Sequence, residues 1–347
     1  MYSNVQTVTG PISKSSLGIT STHEHLLIDF SVVFQEPKNA VDRLKAFEPV
    51  ALENLNWVRY DPFRNRDNLM LLDEEIAVEE LGYFKSVGGN TIVDTTTTGI
   101  GKDPAAVARI ARKTGLNIII GTGYYVGPSH PPELDTKSVG DITEEIIKDI
   151  EIGDSGVRAG VIGEIGCSWP LWDNEKKVLE AAAIAQAQTG ASIIVHPGRS
   201  EDAPFEILNI LDKNGAQIER VVIGHLGRTY FEYKRLMELA RSGCFLAYDQ
   251  FGWETSNFSL GNTDFPSDAQ RIQWIKHLIE EGFVNQILVG QDVCSKDKLV
   301  RFGGYGFAHL IKNIVPRMLE SGFTGKQIDL IFTDNPAEML AINEGSF

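Results

Sequence analysis

Eight short apolar runs, rich in Ile and Val and separated by stretches with helical periodicity, constrain more than any other feature how this 347-residue chain folds. They lie in GITSTHEHLL near 18, NTIVDTTTT near 90, NIIIGTGYY near 117, GVIGEIG near 160, ASIIVHP near 191, RVVIGHLG near 220, CFLAYDQF near 244 and QILVGQDV near 286. Short apolar runs of this kind suit strands buried on both faces, as in parallel sheets. Between them, DEEIAVEELGYFKSVGG, DNEKKVLEAAAIAQAQTG and AQRIQWIKHLIEEG place apolar residues three and four apart, the pattern of a helix lying on a sheet. Asp103-Pro104, Asp141-Ile142-Thr143-Glu144 and Pro266-Ser267-Asp268 read as helix openings, and Gly88, Gly115, Gly190, Gly215, Gly243 and Gly282 as closures. Eight buried strands with crossover helices predict an α/β fold, a (β/α)8 TIM-like barrel.

One barrel domain is expected to take up residues 1–347, since such barrels run past the usual domain length. Residues 1–17 read as a lead-in hairpin at the barrel bottom. Residues 28–72, with EPKNAV, FEPV and YDPFRNRDN, break the rhythm and read as an irregular insertion after the first strand, a cap or side loop.

A net charge of -15 argues against nucleic acid or an anionic membrane as partner, because both need clustered Lys and Arg. A small molecule is the expected partner, with self-association left open. The opening MYSNVQTVTG has neither a basic nor an apolar leader region, and no apolar run approaches membrane-span length, so the chain reads as cytosolic. Three cysteines, Cys167, Cys244 and Cys294, form no CxxC pair and fit a reducing compartment.

The chemistry lies in the polar residues that end these runs. His23 and His25 are two apart, so in an extended strand both leave on one face while Glu24 leaves on the other. Strand four ends in Glu164, strand five in His196, strand six in His225 and strand eight in Asp292. Barrels keep their active sites at these C-terminal strand ends. Four imidazoles and two carboxylates suit two divalent metal ions better than one, with Glu164 bridging and a hydroxide held between the ions. Asp292 is placed to take the proton of that hydroxide and hand it to the leaving group. Zinc heads the candidates for the metal, with manganese, iron and cobalt as alternatives. His130, His277 and His309 fall in loop or helix context and receive no role.

THEHL, GEIGCSWPL, VHPGRS, GHLGR and GQD, in this order, resemble the phosphotriesterase family of the amidohydrolase superfamily, and its animal subgroup most closely. The likeness runs from VQTVTGPI to DNPAEML. It implies a TIM-like barrel with His23, His25 and Asp292 on one ion, His196 and His225 on the other, and a carboxylate between. Bacterial members bridge their metals with a carboxylated lysine, whereas Glu164 stands at the matching position here, as in the animal subgroup. That subgroup is associated with hydrolysis of N-acetyltaurine to taurine and acetate, so the resemblance implies a binuclear amidohydrolase with this reaction.

An anionic amide has a counterpart in Arg199, three residues past His196, whose guanidinium offers paired donors to a sulfonate or carboxylate. The alternative for Arg199 is an ion pair with Glu201 or Asp202. Tyr124, Tyr125 and Trp169 are candidate pocket walls. Two other functions stay open at this point. One is a lactonase or phosphoesterase, including a phosphotriesterase, on the same metals; the other is a metal-stabilised protein that binds without catalysis.

Overall fold

The computed structural model describes residues 2–254, 257–261 and 265–343. Its centre is an eight-stranded sheet in sequence order, with β1 at Thr20–Glu24, β2 at Thr91–Asp94, β3 at Asn117–Thr122 and β4 at Val161–Gly166, then β5 at Ile193–His196, β6 at Val221–Ile223, β7 at Phe245–Tyr248 and β8 at Ile287–Val289. Every neighbouring pair from β1 to β8 is parallel. The crossovers are α1 (Glu74–Ser86), α2 (Pro104–Thr114), α3 (Val139–Glu151), α4 (Asp173–Thr189), α5 (Ala203–Lys213), α6 (Tyr233–Ala240) and α7 (Asp268–Glu280). This is the expected barrel.

Its last seam is made differently from the others. Among the described residues β8 and β1 share no ladder. Thr22 Oγ1 instead donates to the Val289 carbonyl at 2.9 Å, and the Asp292 N–H donates to the His23 carbonyl at 3.0 Å.

Strand side chains alternate between the two faces of the ring. Val93, Ile119, Val161, Ile194, Val222 and Leu288 fill the interior, where they meet Val5, Leu17, Met339 and Leu340 from the two ends of the chain. Their neighbours Ile92, Ile118, Ile162, Ile193, Val221 and Ile287 point outward into the layer shared with the helices. The filled lower interior leaves the opposite end, where the strands finish, as the one with room for a site.

Local chemistry sets the helix ends. Asp103 accepts the Ala106 N–H with Pro104 in the first helical position, and Gly115 closes α2 at φ 66°. Ser267 and Gln270 cap α7 reciprocally. The opening expected at Asp141 lies one turn too late, because α3 starts at Val139 with Ser138 as its cap and Asp141 as the reciprocal partner.

Within residues 28–72, short helices Ala40–Lys45 and Leu55–Tyr60 are framed by the paired strands Ile28–Asp29 and Met70–Leu71. Asn68 fastens this segment to the loop after β8. It donates to Asp297 Oδ1 at 3.0 Å and accepts the Asp297 N–H at 2.8 Å, and Lys296 pairs with Asp67 at 2.7 Å.

Candidate metal centre

The strand ends bring all six expected donors together. Glu164 lies at the centre, with Oε2 3.1 Å from His196 Nδ1, 3.3 Å from His225 Nε2 and 3.4 Å from His23 Nε2. Its Oε1 is 3.5 Å from His25 Nε2, which in turn is 3.4 Å from Asp292 Oδ1. His23 and His25 converge as their spacing requires.

Two of these residues sit in backbone that L-residues avoid. His225 has φ 55° and Asp292 φ 51°, a left-handed conformation costing about 1 to 2 kcal/mol at each. Asp249, just past β7, holds the first: its carboxylate accepts the His225 N–H at 2.9 Å and lies 3.0 Å from His225 Nδ1 and 3.0 Å from His23 Nδ1. Glu24 holds the second by accepting the N–H groups of Gln291 and Val293, both at 3.0 Å. Neither acid is among the donors predicted from the sequence. Asp249 carried a usable signal, since it too ends an apolar run.

Electrostatics follow from the crowding. Burial alone pushes the Glu164 carboxyl up, but the imidazole of His23 and the hydrogen bonds from His196 and His225 outweigh it and hold Glu164 well below the usual carboxylate range. Burial and the neighbouring His225 pull His196 down to about 3, which keeps that ring neutral, the form in which imidazole binds metal. Burial likewise opposes ionisation of Asp292, and the hydrogen bond from His25 with the His225 and His23 rings overrides it, so Asp292 stays ionised.

Whether this donor set fits a cation can be read from its unsatisfied atoms. His23 Nε2 is buried and has no hydrogen-bond partner, an uncommon and costly state for an interior nitrogen. Ligand atoms of His23, Glu164 and His225, and again of His23, His25 and Asp292, lie within 4.8 Å of one another. Imidazole nitrogens with carboxylate oxygens suit zinc and its neighbours, and a shared cation would satisfy the orphaned nitrogen. The residues fit.

A cleft of about 660 Å³ opens over the donors. Phe30, Val33 and Phe63 from the 28–72 segment line it, together with Trp169 and Phe231. Tyr125 lines the cleft with its hydroxyl 3.2 Å from His196 Nδ1. Tyr124 does not line it: its hydroxyl donates to Glu145 at 2.6 Å and accepts from Lys137. Trp169 stands at the mouth, 42% exposed. Arg199 is also exposed, its guanidinium 5.0 Å from the Phe258 ring centroid. It pairs with neither Glu201 nor Asp202. Glu201 accepts the N–H groups of Phe231 and Glu232, and Asp202 pairs with Arg235. Beside His196 lies a second cation that the sequence reading passed over, the buried Arg228. His130 Nε2 donates to the Tyr125 backbone carbonyl at 2.7 Å, and His309 contacts Asp268 away from the cluster.

The model of the phosphotriesterase family matches residues 3–340. N-acetyltaurine hydrolases from Mus musculus and Homo sapiens are 44% and 43% identical over 340 residues, covering 97% of this chain and 97% of theirs. Among solved structures, a resiniferatoxin-binding protein from Rhodobacter sphaeroides superposes with a TM-score of 0.94 at 33% identity, over 98% of this chain and 95% of that one. A lactonase from Listeria monocytogenes follows at 0.79 and 25%, over 99% and 100%.

Proposed function

This chain belongs to the phosphotriesterase family, and from that premise we propose that it is a metal-dependent amidohydrolase that cleaves a small anionic N-acyl amide, N-acetyltaurine, to taurine and acetate. The observation that carries the reading is similarity to N-acetyltaurine hydrolases across 97% of both chains. The cluster of donors under one cleft supports the chemistry. We read residues 1–347 as one domain, with 1–17 as lead-in and 28–72 as an insertion walling the cleft. Among the described residues no helix is long and apolar enough to cross a membrane, which accords with a cytosolic enzyme.

In this proposal His23, His25 and Asp292 would hold one divalent ion and His196 and His225 a second, with Glu164 as a further carboxylate ligand and zinc as the first candidate. When bound, such ions polarise the scissile carbonyl and make water a stronger nucleophile at neutral pH. Asp292 is the general base and acid. Gln250 Nε2 donates to its Oδ2 at 3.2 Å, holding an ionised carboxylate at the floor of the cleft. Asp292 takes a proton from the attacking water and returns it to the amine nitrogen as the C–N bond breaks, so protons balance over the turnover. Phe30, Val33 and Trp169 limit water at the reacting carbonyl. Arg199, at the mouth, meets the anionic tail.

A second reading is supported by the likeness to a lactonase: the same residues acting on a cyclic ester. Purified protein loaded with zinc or manganese and given N-acetyltaurine should release acetate, and chelation should abolish the release. Acetate formation no faster than in His23→Ala ends the amidohydrolase reading. A kcat/KM for lactones above that for N-acetyltaurine favours the second.

A further inference from the structure

Arg228 follows His225 in the single helical turn Leu226–Thr229, and only 4% of its surface is exposed. Its Nη2 is 3.1 Å from the Pro197 carbonyl and 3.0 Å from His196 Nε2. Nη1 is buried without a partner. Among the described residues no carboxylate lies within ion-pair distance of this guanidinium. Glu201, which lines the same cleft, is occupied by backbone N–H groups. A buried, uncompensated charge costs several kcal/mol, and interior cations are therefore almost always paired. Arg228 is a buried cation on the wall of a cleft, and the acids that act on it, Asp249, Asp292 and Glu164, do so only from beyond ion-pair distance.

The His196 contact makes the vacancy larger in the working enzyme. His196 turns Nδ1 toward Glu164 and His225 and Nε2 toward Arg228. A neutral imidazole has one acceptor nitrogen. If Nδ1 uses its lone pair on a cation, Nε2 carries the proton and no longer accepts from Arg228. The N–H of Nη2 freed in this way joins those of Nη1 in facing a ligand, in the planar arrangement that matches paired oxygens of a sulfonate or carboxylate.

We propose that Arg228 is the inner anion-binding residue of the cleft, selecting acyl amides whose amine side ends, a short tether away, in a compact oxyanion such as a sulfonate. The inference rests on the hydrolase reading above. Arg199, exposed at the mouth, is the outer of two cations along the same wall, and both offset the repulsion that a chain of net charge -15 exerts on an anion.

The test pairs binding with turnover. Ethanesulfonate, an anion without a scissile bond, is titrated by calorimetry into metal-loaded wild type, Arg228→Gln and Arg228→Lys, with circular dichroism reporting the fold of each. Hydrolysis of N-acetyltaurine and of neutral N-ethylacetamide is followed in parallel. Arg228→Gln should weaken ethanesulfonate binding roughly a hundredfold, as for truncation of one partner of a buried charged pair. KM for N-acetyltaurine should rise similarly, and its loss in kcat/KM should exceed that on the neutral amide by at least about tenfold. Arg228→Lys, which keeps the charge but not the fork, should fall between. Equal ethanesulfonate affinity in wild type and Arg228→Gln, or equal losses on the two amides, overturns the proposal. Should Arg228→Gln not fold, unchanged affinity and selectivity in Arg228→Lys overturns it instead. If wild type hydrolyses no amide, the hydrolase reading falls and the ethanesulfonate titration alone decides Arg228.

Discussion

Glu24 clasps the backbone on both sides of Asp292, accepting the N–H of Gln291 with one oxygen and that of Val293 with the other, each at 3.0 Å. Asp292 is thereby held left-handed with its carboxylate beside His25. Burial pushes the Glu24 carboxyl up to about 8, and the hydrogen bond from Ser21 works against that shift. In Glu24→Gln one of the two N–H groups faces an amide NH2 and loses its acceptor, at about 1 to 3 kcal/mol for a buried donor. Thermal unfolding should register that loss, and competition with a chelator should show weaker metal retention. Wild-type values in both measurements would mean that Asp292 does not depend on the clasp.

Asp249 lies 3.0 Å from Nδ1 of both His23 and His225 and hydrogen-bonds the His225 ring. A carboxylate behind a ligating histidine fixes its orientation and is worth ten- to a hundredfold in metal affinity, so Asp249→Asn should release metal to a chelator by about that factor. The check is metal stoichiometry against free chelator, without reference to turnover.

At the cleft mouth, Arg199 is exposed and rests over Phe258. A rim charge acts on encounter more than on bound-state affinity. Arg199→Met should therefore lower kcat/KM for N-acetyltaurine by no more than about tenfold at low ionic strength, and the difference should fade as salt approaches ~1 M, where screening is nearly complete. A larger, salt-independent loss would place Arg199 deeper in recognition than its exposure suggests.

Acid stability should depend on Asp268. Burial disfavours its charge, but the hydrogen bond from His309, the Arg271 guanidinium at 2.8 Å and the Gly252 N–H hold its pKa below the ordinary aspartate value. A carboxyl with a lowered folded pKa stabilises the protein above its unfolded pKa of about 3.9, and loses that contribution as pH falls through the folded value. Urea melts from pH 6 down to pH 3 should show a steeper decline in wild type than in Asp268→Asn. Parallel curves would remove Asp268 from the acid transition.

Much of the centre was legible because a barrel converts position along the chain into position around a ring. His23, Glu164, His196, His225 and Asp292 each end an apolar run, and the fold gathers those ends. Asp249 obeyed the same rule and was missed only because no motif drew attention to it. Tyr124 and Tyr125 were separable too, since adjacent residues of an extended segment leave on opposite faces and only one can face the cleft. The role of Glu24 was not legible: its partners lie 267 and 269 positions away, and nothing local announces them. Nor could the sequence show that Arg228 lacks a carboxylate. That is a property of everything around it.

Among the described residues, the one junction of the ring without a strand ladder is also where His23, His25 and Asp292 meet. A cation shared by those three would act as a rivet between the first stave of the cask and the last. Joining the two margins and acquiring reactivity would then be the same event. A half-assembled molecule would carry no stray hydrolytic power, and stripping the rivet should let amide protons along this margin exchange before those of any other.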